Sequence, residues 1–417
     1  MATTPNNNIP QGYKATALGI IPQEWEVKFL GDLLSRCANG LTYDVSITSG
    51  IPVTRIETIS TGEINYAKVG YIPNESGYEI FRMQKGDILY SHINSLSQIG
   101  KVAYYKGDKE IYHGMNLLLL RANESLDKQY LYYTLLTDHM RHMAQVIAKP
   151  AVNQASISTS DLKRVKIAVP PLAEQRKIAE VLGVWDEAIE KQARLIEKLA
   201  LRKRALMQRL LSAKLRLPGF SEPWQKVNYS DMLKEVRRTL TWDENELYDL
   251  ISVRRRSGGV FHRESLYGHE IKTKTLRPAL EGDFLISKMQ IVHGASGVVP
   301  KQLSGMKISG SYIALIAKDP KELNINYFNL WSQMPLFYHQ TFVSSYGVHI
   351  EKMTFDLDAF MSLSMNLPPI EEQDRIVEII LTATNEIELA KEKLDRLRRQ
   401  KRGLMQQLLT GKKRVKY

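Results

Sequence analysis

The chain has 417 residues, 43% of them hydrophobic and 24% charged, and its 57 Lys and Arg against 45 Asp and Glu give a formal net charge of +12. That length allows roughly two to four domains, and the single cysteine, Cys37, excludes an internal disulfide and a cysteine-built zinc site. No stretch approaches the roughly 18 to 20 consecutive apolar residues of a membrane helix, and the polar start Met1 to Asn8 has no apolar signal-peptide core, so a cytoplasmic protein is expected.

Taken from the start, the first globular segment (1–169) opens on Trp25. It carries short strand signals at Gly50 to Ile56, Gly86 to Ser91 and Lys101 to Tyr105, between glycine and asparagine turns. Tyr130 to Ile147 reads as a helix or helical hairpin. His139 and His142 sit three apart there, and without a third ligand in view they read as surface residues rather than metal ligands. A long helix follows over 170–214, announced by Pro170 and Pro171, because a proline pair pushes the preceding backbone out of the helical region and suits a first helical turn. Its apolar seam runs Ile178, Leu182, Trp185, Ile189, Gln192, Ile196, Leu199, Lys203, Leu206 and Leu210, the 4-3 rhythm of a coiled coil.

The second globular segment (215–367) repeats the anchors more faintly. Trp224 answers Trp25, Gly282 to Ser287 answers Gly86 to Ser91, and Ile325 to Phe342 reads as a second helix or helical hairpin. A second long helix (368–417) starts at Pro368 and Pro369, with the seam Ile376, Ile380, Ala383, Ile387, Ala390, Leu394, Leu397, Lys401, Leu404 and Leu408. From Pro170 to Lys214 and from Pro368 to Lys412 the copies align without a gap, with roughly 17 identities in about 45 positions. Helices of roughly 60 Å are too long for one small domain to cover. The expected fold is therefore α+β: two globular α/β domains separated by two long antiparallel helices that cover each other's seams, as a pseudo-two-fold internal repeat. Two independent amphipathic helices, each on its own domain, are the alternative.

The positive charge points toward a polyanion, since phosphates neutralised by Lys and Arg release condensed counterions. Clusters such as Arg202-Lys203-Arg204 and Arg398-Arg399 lie on the long helices, where a solvated face or an acidic partner explains them equally well. More telling are basic and amide side chains in the divergent segments. The first half offers Arg55, Arg82, His92, Asn94, Lys101, Lys149, Asn153 and Gln154. The second offers Arg254, Arg255, Arg256, His262, Arg263, Lys272, Lys274, Lys288, Gln290, His293, Tyr346 and His349. Arg and Lys can pair with guanine edges, and Asn and Gln with adenine. A plain surface role competes at each position.

Catalytic signatures are missing. There is no Gly-x-x-x-x-Gly-Lys-Ser/Thr phosphate loop. Asn366-Leu367-Pro368-Pro369 departs from the Asn-Pro-Pro-aromatic motif of amino-methylating DNA enzymes by an inserted leucine and a missing aromatic, and Glu270-Ile271-Lys272 matches the Glu-x-Lys nuclease fragment no better than Glu26-Val27-Lys28 does.

Val169-Pro170-Pro171-Leu172-Ala173-Glu174-Gln175-Arg176-Lys177-Ile178-Ala179 resembles the start of the central conserved helix of type I restriction-modification specificity subunits. Leu367-Pro368-Pro369-Ile370-Glu371-Glu372-Gln373 resembles its second copy, and both helices close on the similar Leu206 to Leu211 and Leu404 to Leu409. Trp25 with Ile21-Pro22, the Gly-Asp-Ile-Leu strand at Gly86, and Gly258 to Glu264 are similar to stretches of that family's recognition domains. The resemblance implies a non-catalytic subunit with two target recognition domains, reading a bipartite, asymmetric double-stranded DNA sequence with one half-site per domain. It further implies two modification subunits held on the conserved helices, S-adenosylmethionine bound on those subunits, and ATP and magnesium on a restriction subunit, with no cofactor or metal on this chain. A free-standing two-headed regulator or architectural protein on a coiled-coil spacer is the competing class.

Overall fold

The computed structural model describes residues 9–151 and 154–416. The chain divides into two compact units, Met1–Ala193 with Glu392–Tyr417, and Arg194–Lys391, so the division runs through both long helices. Each unit holds one globular domain, the first half of one long helix and the last half of the other.

In the first unit a four-stranded antiparallel sheet has the order Leu34–Asn39, Leu118–Ala122, Ile88–Tyr90, Val102–Tyr104. Ile88, Leu89 and Tyr90 are all buried, which is why this strand reads as an unbroken apolar run rather than as an alternation. Helices Lys128–Leu135 and Asp138–Ile147 follow, capped by the side chains of Asp127 and Thr137, which accept from backbone N–H groups of the first turn. The core gathers Trp25, Leu30, Leu33, Ile88, Leu118 and Tyr130 with Ile178, Leu182 and Leu408 from the long helices.

The second unit repeats the plan, with sheet order Leu233–Glu235, Tyr312–Ala317, Phe284–Ser287, Ser296–Val298 and helices Ile325–Trp331 and Pro335–Val343. Its core is more aromatic: Tyr229 stacks on Phe360 at 4.4 Å between ring centroids, and Phe284, Phe328 and Phe337 meet edge to face. The insertions differ between the units. The first adds the strand pair Ile51–Val53 and Gly70–Ile72, and the second adds a further sheet built on the long ribbon Leu247–Val253 with Val260–Tyr267.

The long helices span Leu172–Leu210 and Ile370–Leu408, 39 residues each. Within the first unit they run antiparallel, with Lys401 paired to Asp186 and lying over the Tyr133 ring, while the Tyr133 hydroxyl donates to Asp186 at 2.7 Å. Within the second unit Leu199 packs with Ile387 and Ala390, and Arg202 pairs with Glu386. Every seam position is buried or half-buried. The lysine shared by both seams is therefore held differently in the two copies. Lys401 has a carboxylate partner, whereas burial lowers the Lys203 pKa, with Glu388 opposing the shift.

The start of each helix is locked to its own domain by the same polar cluster. Glu174 is fully buried and accepts the Trp25 indole N–H at 2.9 Å and two N–H groups of Arg414. Glu372 accepts Trp224 at 2.9 Å and Arg216 at 2.9 and 3.0 Å. Gln175 accepts from the backbone of Asp127 and donates to the carbonyls of Ser125 and Pro170. Gln373 does the same with Asn324, Glu322 and Pro368. Asp127 and Asn324 are the N-caps of the helices that follow them, so the Glu-Gln pair of each repeated segment sets both the domain's tryptophan and its first helix.

The helix ends are also twins, and they differ in one strained residue. Leu215 N–H bonds to the Arg209 carbonyl as Lys413 N–H bonds to that of Gln407, and each bond encloses a left-handed residue just past the helix, a position that favours glycine. The second copy has Gly411 in the left-handed region at φ 70°, and the first has Ala213 there at φ 57°. Ala213→Gly is expected to stabilise the chain by about 1 kcal/mol, read as a rise in the denaturation midpoint. Gly411→Ala, the reverse change at the twin site, is expected to lower it.

Candidate nucleic-acid interface

In each unit a loop leaving the most buried strand meets a hairpin that follows the second domain helix. In the first unit Ile93–Asn94 pairs with Gln154–Ser156, which pairs with Lys149–Ala151. In the second, Ser345–Tyr346 pairs with Thr354–Phe355, and Phe355 N–H bonds to the Lys288 carbonyl as Ile157 N–H bonds to that of His92. Residues far apart in sequence thus reach one surface per unit. The two surfaces share a backbone plan while carrying different side chains.

On the first surface Lys149 and Gln154 are exposed and Asn94 is half-buried, its amide donating to Ser91 Oγ at 3.2 Å. Ser95 and Ser97 lie beside it with hydroxyls 3.2 Å apart. His92 is buried, and burial pushes its pKa down to about 4, so its ring is neutral near pH 7 and available as a hydrogen-bonding group rather than as a cation. Lys101 donates to the Ser60 carbonyl at 2.7 Å. Arg55 faces Glu57 at 3.5 Å, and Arg82 pairs with Glu110 at 3.1 Å. Asn153 lies outside the described residues.

On the second surface the turn Arg255-Arg256-Ser257-Gly258 closes the ribbon, with Arg256 and Ser257 both in the left-handed region at φ 58° and 54°. Two such non-glycine residues cost about 1–2 kcal/mol each. The turn is held by backbone bonds from Arg256 to the His293 carbonyl (2.7 Å) and from Ser257 to that of Gly294 (2.8 Å), and by the Ser257 and Tyr338 hydroxyls 2.8 Å apart. Strain kept in place by its surroundings clusters at functional sites. A side chain at Gly294, itself in the left-handed region at φ 73°, would have to displace the Tyr338 ring, whose hydroxyl would lie 2.0 Å from its Cβ.

Arg254 covers the Phe261 ring at 3.9 Å, and Arg255 pairs with Glu351 at 3.0 Å. His293 Nε2 lies 3.1 Å from Glu351 in ion-pair range, but it is not aligned as a hydrogen bond. The Gln290 amide oxygen is buried without a partner. Tyr346, Val348 and Ile350 are exposed on the connecting loop, Val348 at 94%, with His349 exposed between the last two.

The remaining candidates separate from this cluster. The ribbon pairs Val253 with Val260 at one end and Leu247 with Tyr267 at the other. Lys274 sits at the far end with Glu244, and His262 lies midway beside Asp249 at 3.4 Å. Arg263 pairs with Glu264, its neighbour in sequence. Lys272 is exposed. Sequence reading missed Arg216 and Arg414, which lie at the same offset beyond the two helices. Carrying the repeat alignment two residues past Lys214 finds them. Among the described residues no group of three or more His, Cys, Asp or Glu is gathered to hold a metal ion, and no helix is long and apolar enough to cross a membrane.

Comparison with known proteins agrees on one family. The type I restriction modification DNA specificity domain matches twice, at residues 22–200 and 221–399. The MjaX type I restriction enzyme specificity subunit of Methanocaldococcus jannaschii is 33% identical, with 97% of each chain covered. The EcoKI specificity subunit of Escherichia coli is 27% identical over 172 residues, covering 38% of this chain and 36% of that one. In fold, the chain is similar to the type I restriction-modification S subunit of M. genitalium, with TM-score 0.56 and 16% identity over 98% of both chains. It is also similar to a chain from a type I R-M assembly, with TM-score 0.59 and 17% identity over 94% of this chain and 99% of that one.

Proposed function

Since this chain belongs to the type I restriction-modification DNA specificity family, we propose that each of its units reads one half of a bipartite, asymmetric DNA target through the surface formed by its post-strand loop and hairpin. The chain is the DNA sequence-recognition subunit of such a system and not its catalyst. The observation that carries the half-site reading is the pairing of one backbone plan with two unlike side-chain sets. On the shared frame the first unit carries His92, Asn94 and Lys149 where the second carries Lys288, Gln290 and Tyr346, and the second unit's own ribbon adds the arginine turn. Hydrogen-bonding side chains differing on a common frame are what two readers of different base sequences require.

The chain works with DNA and with other subunits of its system. In this proposal two modification subunits dock on the long helices and bring S-adenosylmethionine, while a restriction subunit brings ATP and magnesium. Co-expression with the methyltransferase subunit of the same system, followed by methylome sequencing, is expected to yield a single motif with two unlike halves and a fixed unread gap, from a complex of one copy of this chain with two of the methyltransferase. A chain that stays alone and leaves adenines unmethylated beside that partner would favour a free-standing regulator instead.

A further inference from the structure

We propose that the second unit carries a phosphate-binding pocket, built on Arg277 and Lys288, that grips one backbone phosphodiester of the DNA at the edge of the reading surface. The inference rests on the recognition reading above and assigns a ligand chemistry to a cavity of about 460 Å³ lined by Glu235, Arg237, Arg238, Thr275, Arg277 and Lys288 among others.

The charges in this cavity do not cancel. Arg238 is neutralised by the buried Asp283, to which its Nη2 donates at 2.9 Å, and Arg237 pairs with Glu235 at 2.8 Å. Arg277 is half-buried and donates to the Tyr312 carbonyl at 2.7 Å, a contact that orients the guanidinium without compensating it. The Lys288 side chain is half-buried too, and among the described residues its ammonium meets neither a carboxylate nor a hydrogen-bond acceptor. Two half-buried cations that face one cavity without a carboxylate between them favour an anion that completes the site. The Thr275 hydroxyl, which accepts the Gly310 N–H at 3.4 Å, keeps its own proton to donate.

The backbone fixes this pocket to the reading surface. Lys288 donates its N–H to the Ser311 carbonyl at 2.9 Å, and its carbonyl accepts from Phe355 at 3.0 Å, in the hairpin that presents Tyr346. A phosphate held here would set the register of that hairpin on the duplex, the positioning role that backbone contacts play beside base contacts. The matching position of the first unit holds no cation. Its residue after the matching serine is His92, buried and neutral near pH 7.

The test uses the chain assembled with its methyltransferase subunits on the target mapped by methylation. Lys288→Met and Arg277→Met are each expected to flatten the slope of log K against log salt by about 0.9, one phosphate's worth. Each should also weaken binding by the same factor on matched duplexes and on duplexes altered in the second half-site. Arg277→Lys, which keeps the charge, is expected to retain the slope and reports that the unit still folds. Neutral methylphosphonate linkages placed one at a time should reveal one position that weakens the native complex but makes no further difference to Lys288→Met. An unchanged slope, or a loss confined to the identity of one base pair, overturns the pocket. If inorganic phosphate stabilises the native chain and not Lys288→Met, while no methylphosphonate position distinguishes them, the site takes a free anion and the DNA assignment is wrong. A native complex with no preference for its methylated target would instead overturn the recognition reading on which the pocket depends.

Discussion

Replacing Glu372 with alanine is expected to destabilise the second unit by about 3–5 kcal/mol, the cost of leaving a buried charge without its partner. Glu372 is 1% exposed at its side chain, and Arg216, 25% exposed, donates to both of its carboxylate oxygens while the Trp224 indole donates to one. Removing the carboxylate leaves the Trp224 indole N–H without its acceptor and the Arg216 guanidinium without a counter-charge, with only the Glu222 carbonyl at 2.8 Å left to it. Chemical denaturation measures the loss, and hydrogen exchange at the amides of 324–331 locates it, because Gln373 next door holds the Asn324 cap. Glu372→Gln keeps the volume and an acceptor for Trp224 but not the charge, so it should fall between alanine and the native residue. Pairing Glu372→Gln with Arg216→Met should recover part of the difference, since the two residues are directly coupled. A loss below about 1 kcal/mol for Glu372→Ala would mean that this ion pair behaves like an exposed one. Glu174→Ala is expected to cost the first unit less, because it strips Trp25 of its acceptor but leaves Arg414 paired with Glu24 at 2.8 Å.

These two clusters also show how far the sequence could be read. The long helices were legible because a 4-3 apolar rhythm over dozens of residues is a strong periodic signal and the duplication doubled it. The proline pairs foretold starts at Leu172 and Ile370 within two residues. The helical hairpins at 128–147 and 325–343 and the strands at 51–53 and 102–104 were visible for the same local reasons. Less legible was what the Glu-Gln pair of each repeat does. Its partners, Trp25 and Arg414 or Trp224 and Arg216, come from about 150 to 240 residues away, and no local pattern encodes such a contact.

The candidate surface residues stood out in the sequence by composition, while their placement together did not. Arg254 to Arg256, Lys288, His293 and Tyr346 come from three stretches that only tertiary hydrogen bonds bring together, through Arg256 to His293 and Phe355 to Lys288. The same folding sends Lys274 to the other end of the ribbon and gives Arg82 to Glu110. Charge in the sequence marked both groups alike, and only their tertiary placement separates them, since Arg255 has a carboxylate partner as Arg82 and Lys274 do. Arg277 was passed over because a lone arginine before a proline has no sequence signature. Its interest comes from having a carbonyl for a partner where its neighbours Arg237 and Arg238 have carboxylates.

Exchanging the second globular segment, Leu217 to Met365, for that of another member of the family is expected to replace one half of the methylated motif completely and leave the other half unchanged. The proposed reading surfaces justify the expectation. Everything on the second one, from the arginine turn through Lys288 to the 345–355 hairpin, lies inside the exchanged segment, and Asn94, Lys149 and Gln154 lie outside it. The junctions also spare Arg216 and Glu372, so the buried pair that seats the domain survives provided that the incoming segment supplies an indole where Trp224 stands and a helix N-cap where Asn324 stands. A donor lacking the tryptophan should give a complex that methylates only after its equivalent position is changed to tryptophan, which separates a seating failure from a reading failure. Methylome sequencing of cells carrying the chimera decides the matter. A motif altered in both halves, or in neither, would show that recognition is not divided between the two units.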